Sequence, residues 1–231
     1  GADHLLRTVH GREQEAARVR QAVELLSLTT SQTTQYLDSW LERTGLEYAA
    51  AAQAWQNHQA QQRAEAANQF ANLLNAFSGE QGESDTDTMA FVAETLREEH
   101  SDSAYAIYGN LVMARQQLVE QNDPAAAVES LSWALDKAAD DKALSLVVRN
   151  RLARAQFAAG NHDDALATLD GAGEADAFNA IFSELRGDIL LAKGDQDGAR
   201  EAYLTAREQN QQGRSGVLEL KLSDLGVGED A

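Results

Sequence analysis

The chain has no cysteine, a single proline and only 6% aromatic residues. Without cysteine there are no disulfides, no thiol nucleophiles and no zinc–cysteine sites, and that absence names no compartment. One proline (Pro124) and 16 glycines in 231 residues leave few places where a helix must stop. β-Branched residues are sparse beside Ala, Gln, Glu, Leu and Arg, which disfavours sheet. No window approaches the run of about 20 apolar residues that a membrane span requires. The opening Gly1-Ala2-Asp3-His4 lacks the basic-then-apolar order of a signal peptide, and Gly1 in the place of Met suggests a processed chain. Lysine is scarce: Lys137, Lys142, Lys193 and Lys221 are the only ones among 19 basic residues, set against 37 acidic ones. The resulting net charge of −18 repels phosphate backbones and anionic lipid, so nucleic acid and acidic membrane surfaces are poor partners. Many carboxylates with few lysines fit either a salt-adapted organism or an ordinary acidic soluble protein.

What is present is helical periodicity over most of the length, with 43% hydrophobic residues to build a core. Apolar residues at Ala16, Val19, Val23 and Leu26 mark a helix over Glu13–Leu28, followed by a hydroxyl-rich break at Thr29–Thr34. A long Ala- and Gln-rich helix is expected from about Gln35 to Phe77, with Gly45 its one weak point. After a loop at Ser78–Ser84, Asp85 or Asp87 caps a helix reaching about Glu99. Further helices are expected near Ala104–Gln121, Pro124–Ala138, Lys142–Ala159, His162–Leu169, Ala177–Ala192, Gln196–Gln209 and Ser215–Leu225. Pro124 stands at a helix start, where its missing N–H costs nothing.

The C-terminal half repeats itself. Gly160 is followed 34 residues later by Gly194, and Ala165 by Ala199 at the same interval. That is the period of a tetratricopeptide unit, a helical hairpin that buries its apolar face only by stacking on neighbours. One unit turns at Gly160 and continues through Ala165, Leu169 and Ala172. The next has Gly187 at the close helix contact, turns at Gly194 and continues through Ala199, Tyr203 and Ala206. An earlier unit turns at Asn122, with Ala127, Leu131 and Ala134 behind it, and Met89–Tyr108 reads as a further degenerate pair. The expected fold is all-α: a tetratricopeptide-like α-solenoid of helical hairpins with a long N-terminal helix. Residues 1–50 form an N-terminal helical segment and 51–231 the repeat domain.

Chemistry is hard to place on this pattern. His4, His10, His58, His100 and His162 are scattered, no HExxH occurs, and Glu98–Asp102 puts adjacent residues on diverging sides of a helix end, so no metal site is expected. Asp195-Gln196-Asp197-Gly198 begins like a calcium loop, but Ala199 onward continues as helix, which makes Asp195 a cap. Asp140-Asp141 and Asp163-Asp164 likewise suit helix starts. No strand precedes Gly171-Ala172-Gly173, and no GxSxG elbow is present, so neither a nucleotide fold nor a serine hydrolase is indicated. No catalytic residue and no cofactor are expected.

The remaining candidate is a partner-binding groove on the first helices of the repeats. It takes in Val147, Asn150, Arg154 and Phe157 in one unit and Ile181, Glu184, Asp188 and Leu191 in the next. Glu184 and Asp188 would repel a peptide's terminal carboxylate. Mixed apolar and acidic residues suit an amphipathic or basic partner segment. Alternatively, Arg154 and Asp188 simply pair with each other across neighbouring helices. The long N-terminal helix could support a homo-oligomer.

The stretches Arg151–Arg154, Ala165–Asp170, Leu185–Asp195 (LRGDILLAKGD), Gly198–Arg200 and Leu220–Leu225, with Trp55–Gln59 (WQNHQ) upstream, resemble the YfgM-like family of ancillary SecYEG translocon subunits. The resemblance covers roughly Ala54–Leu225. It implies a short cytoplasmic tail, one membrane helix and a tetratricopeptide-like periplasmic domain. It also implies partnership with the SecYEG translocon and a PpiD-like periplasmic chaperone in handing over secreted proteins, and no catalytic residues. A second role it implies is regulation of envelope-stress signalling through a bound response-regulator protein. Upstream of Trp55 the family's apolar span should stand, yet Leu46–Ala54 is short and carries Glu47 and Gln53. The expectation is that the anchor is absent from this chain or replaced, and that the chain is a soluble form.

Overall fold

The structure, a computed structural model, describes residues 17, 31–78, 84–210 and 216–227. The chain divides into two compact units, 1–65 and 66–231. The described backbone is helical or turn, with no strand among the described residues. None of its helices is long and apolar enough to cross a membrane, among the described residues.

In the first unit the described structure is essentially one helix. This is α1, Ser31–Ser78, which continues into the second unit and runs without interruption through the exposed Gly45. Polar side chains one turn apart lace its surface: Gln53 Nε2 donates to Asn57 Oδ1 at 3.0 Å, and Gln61 Nε2 to the Glu65 carboxylate at 2.8 Å. Such pairs add a few tenths of a kcal/mol each. The break expected at Thr29–Thr34 is not found at Ser31–Thr34, which are helical. Extending an existing helix fixes one residue per new hydrogen bond, so a weak preference against helix in Ser31, Thr33 and Thr34 is outweighed. The helix expected over Glu13–Leu28 lies outside the described residues, Ala17 excepted.

The second unit holds α2 (Thr86–Glu99), α3 (Ala104–Val119), α4 (Pro124–Lys137), α5 (Lys142–Ala158), α6 (His162–Asp170), α7 (Asn179–Ala192), α8 (Gln196–Gln209) and α9 (Gly216–Asp224). A short 3₁₀ turn at Asp176–Phe178 precedes α7. Side-chain caps set where five of them begin. Asp85, Ser103, Asp123, Asp141 and Asp195 accept from the N–H groups of Thr88, Tyr105, Ala126, Leu144 and Gly198. Asp195 therefore serves as a cap, as its context implied, and each such cap contributes about 1 kcal/mol.

The turns at Asn122, Gly160 and Gly194 all adopt the left-handed conformation, with φ of 52°, 80° and 86°. Glycine takes this at little cost, and asparagine is the side chain that best tolerates it. Behind each turn a carbonyl near the helix end is satisfied: the Asn161 N–H donates to Gln156 O and the Asp195 N–H to Leu190 O, at 2.8 and 2.9 Å. At the first turn the Asp123 N–H reaches Gln117 O instead, so α3 leaves with one residue more.

Burial runs in series along the stack. Ala66, Leu73 and Ala76 of α1 pack with Met89, Val92 and Leu96 of α2 and with Ala106 and Met113 of α3. Leu111, Leu131 and Leu152 join α3, α4 and α5. Leu146, Ala165, Leu169, Phe182 and Ile189 join α5, α6 and α7. Ala199, Tyr203, Leu218 and Leu222 close the array through α8 and α9. The pair expected over Met89–Tyr108 divides otherwise. Helix α2 packs on the tail of α1, where the Asp85 N–H and Ser84 Oγ bond Ala76 O and Phe77 O, and α3 opens the pair completed by α4.

Among the described glycines the closest approach is at Gly187, where an added Cβ would stand 2.3 Å from Cε1 of Tyr203. Gly187→Ala is expected to lower stability by about 1–3 kcal/mol, because a packed ring cannot retreat from the methyl group. Gly187→Ala combined with Tyr203→Leu should recover part of the loss. Urea denaturation of the two variants measures it, and an unchanged midpoint for Gly187→Ala would contradict the contact.

Candidate functional site

Serial stacking brings the first helices α3, α5 and α7 into line. The small buried residues Ala114, Ala153 and Gly187 sit at corresponding places on them, where each meets its neighbours. Counting from those residues, Tyr108, Val147 and Ile181 correspond, as do Leu111, Asn150 and Glu184. Arg115, Arg154 and Asp188 form a third row, and Leu118, Phe157 and Leu191 a fourth. The residues expected to line a groove, Val147, Asn150, Arg154, Phe157, Ile181, Glu184, Asp188 and Leu191, thus fall at repeating positions. Their exposure varies. Ile181 and Leu191 are 40% and 39% accessible, as is Tyr108 at 40%, which is high for large apolar side chains in a stack this well packed. Val147, Asn150 and Phe157 are half-buried, and Arg154 is exposed. Phe157 also lies 5.5 Å from the His162 ring, which ties it to its own hairpin.

Charge is arranged unevenly along the rows. At the C-terminal end, Lys221 of α9 lies 2.8 Å from Glu184 and 2.7 Å from Asp188, both on α7. The Tyr203 hydroxyl donates to Asp188 at 2.8 Å, and the Lys221 ammonium sits 5.5 Å above the Tyr203 ring. Arg154 makes a long 3.4 Å bond to Asn150, one turn earlier, and Asp188 is engaged elsewhere, so the alternative pairing of Arg154 with Asp188 is not formed. On α3, the Arg115 guanidinium stacks 5.1 Å over Phe77, and Tyr108 lies 6.1 Å from Phe70.

Lys221 and Tyr203 were not singled out as groove residues by sequence reasoning, nor were Tyr108 and Arg115. The scarcity of lysine was a signal for Lys221: with four in the chain, one at the close of the array invites the question of which carboxylates it meets. Tyr108 and Arg115 were hidden by the extra residue at the end of α3, which shifts their register against the later units. Elsewhere the same economy holds helices together. Arg149 Nη1 donates to Thr168 O at 2.8 Å, and Arg200 reaches Leu225 O, each placing a cation on helix-end carbonyls. Burial pulls the Arg149 guanidinium below its usual range without threatening its charge.

Burial, and then the hydrogen bond to Asp188, push the Tyr203 phenol well above its ordinary range. Burial alone would pull the Lys221 ammonium down, but its bonds to Asp188 and Glu184 outweigh this and raise it. Both groups therefore hold their protons more tightly folded than unfolded. Their contribution is complete below the ordinary values of 10.0 and 10.5 and is lost as pH rises through the raised ones. Thermal unfolding is expected to stay flat from neutrality to about pH 9 and to fall above about pH 10.5. Lys221→Gln is expected to destabilise by about 1 kcal/mol at neutral pH, solvent screening of these half-exposed groups having been discounted. It should also flatten the alkaline fall, as circular dichroism melts across the pH range would show.

A family model described as a tetratricopeptide repeat-like domain matches residues 39–227. The chain is 33% identical over 171 residues to the ancillary SecYEG translocon subunit of Haemophilus influenzae, covering 74% of this chain and 80% of that protein. It is 30% identical over 174 residues to the protein of the same name in Escherichia coli strain K12, covering 75% and 80%. With the Aggregatibacter actinomycetemcomitans protein of that name it shares 30% identity over 171 residues, 74% of this chain and 80% of the other.

Proposed function

The chain belongs to the YfgM-like family, whose domain is tetratricopeptide repeat-like, and from that premise we propose that it is a non-catalytic interaction subunit of a bacterial Sec translocon. In this reading the repeats stand on the periplasmic side of the inner membrane and hold a PpiD-like chaperone or its client while a secreted chain is handed over. The observation that carries the proposal is the line of half-exposed apolar side chains, Tyr108, Val147, Ile181 and Leu191, along successive first helices. A partner segment laid across them removes apolar surface from water at about 25 cal/mol per Å². The stacked helices are already in place, so little ordering cost opposes the gain. The acidic surface keeps the chain soluble and biases which partners approach.

The test is capture from bacterial envelopes. The wild-type chain is expected to retain translocon components and a periplasmic chaperone after crosslinking. Val147→Asp with Ile181→Asp should lose most of that capture with no change in helical content, because a charge in the apolar row must be desolvated when a partner binds. Equal capture by the variant would refute the groove. A reporter fused after Leu225 that is active only in the cytoplasm would refute the compartment.

A further inference from the structure

Resting on that groove reading, we propose that the α3–α5 part of the groove takes an amphipathic partner segment carrying carboxylates, which Arg115 and Arg154 receive. The net charge of the chain and the presence of Glu184 and Asp188 argue for a basic partner, but the contacts point the other way. Lys221 lies on both carboxylates, and the Tyr203 hydroxyl donates to one of them, so this acidic pair already has its counter-charge within the fold. Arg115 and Arg154 occupy the same row on consecutive first helices, both exposed. Among the described residues no carboxylate pairs with either: the Arg115 guanidinium carbon stands 5.1 Å over the Phe77 ring and Arg154 meets the neutral Asn150.

A guanidinium stacked on a ring keeps its edge N–H groups free for an oxygen acceptor, and the ring holds it in one orientation. Half-exposed Tyr108 and Val147 stand two turns before these arginines on the same helices. A segment with apolar residues spaced by helical periodicity and acidic residues between them would fill both rows. The chain's total charge does not oppose this at physiological salt. Screening there acts over about 8 Å, so the groups beside the bound segment decide the preference and remote carboxylates do not.

The probes are fluorescein-labelled amphipathic peptides of one Leu- and Ala-based sequence, differing only in having Glu, Gln or Lys at the polar positions. They are titrated against the full chain by fluorescence anisotropy at about 0.15 M salt. The Glu peptide is expected to bind about tenfold more tightly than the Lys peptide. Arg115→Gln with Arg154→Gln should abolish that preference and lower the melting temperature by no more than a few degrees, since both side chains are exposed and only the contact of Arg115 with Phe77 is lost. Val147→Asp, a control on the groove itself, should weaken every peptide. A Lys peptide that binds as well as or better than the Glu peptide overturns the inference. If Val147→Asp still weakens all three in that case, the groove reading survives. Binding of no peptide overturns the inference too, and retained envelope capture by Val147→Asp with Ile181→Asp would then remove the groove reading with it.

Discussion

The fold depends on how closely paired helices can approach. Tyr203 lies against the backbone of Gly187 at a distance that no Cβ would permit, and Ala114 and Ala153 hold the corresponding places in the preceding hairpins. Small residues there let each hairpin close, and a closed hairpin still has apolar residues on its flank. Leu111, Leu131 and Leu152, then Leu146, Leu169 and Ile189, are buried only because the next pair of helices covers them. Stability is therefore shared between neighbours, and stacking in series covers the flank that each hairpin leaves open.

The same arrangement creates the surface to which function is assigned. Because stacking aligns α3, α5 and α7, any residue at a given place in one hairpin recurs beside its counterparts in the others. Apolar side chains at such places are either covered by the neighbouring helix or left along the open face. Tyr108, Ile181 and Leu191 are left there. Under the proposed function a partner lies along this preformed row without rearrangement of the stack, in keeping with relatives named as translocon subunits.

Charge is managed by position more than by quantity. A chain with an excess of 18 negative charges still places Lys221 against two carboxylates at the end of the stack and leaves two arginines open in its middle. The Lys221–Glu184–Asp188 cluster also ties α9 to α7, closing the array at the end where Leu218 and Leu222 cover Tyr203. One lysine thus secures the last helix and supplies the counter-charge to Glu184 and Asp188 on α7.

Helix positions, turns and caps were legible in the sequence because each is decided within a few residues. Gly160 and Gly194 turn, Asp85, Asp141 and Asp195 cap, and Gly187 is small whatever the remainder of the chain does. The hydroxyl run at Ser31–Thr34 misled for the complementary reason, since a local preference yields to cooperative extension of a long helix. Which charges meet was not legible. Lys221 pairs with Glu184, 37 residues away, and with Asp188, while Arg154, about as far from Asp188 in sequence as Lys221 is, does not pair with it. Ion pairing across helices depends on the register in which whole hairpins stack, and one extra residue at the end of α3 alters that register without disturbing any local pattern. The chain alone thus determined its hairpins and their period. Only the stacked structure decided which side chains would face one another and which would remain open to a partner.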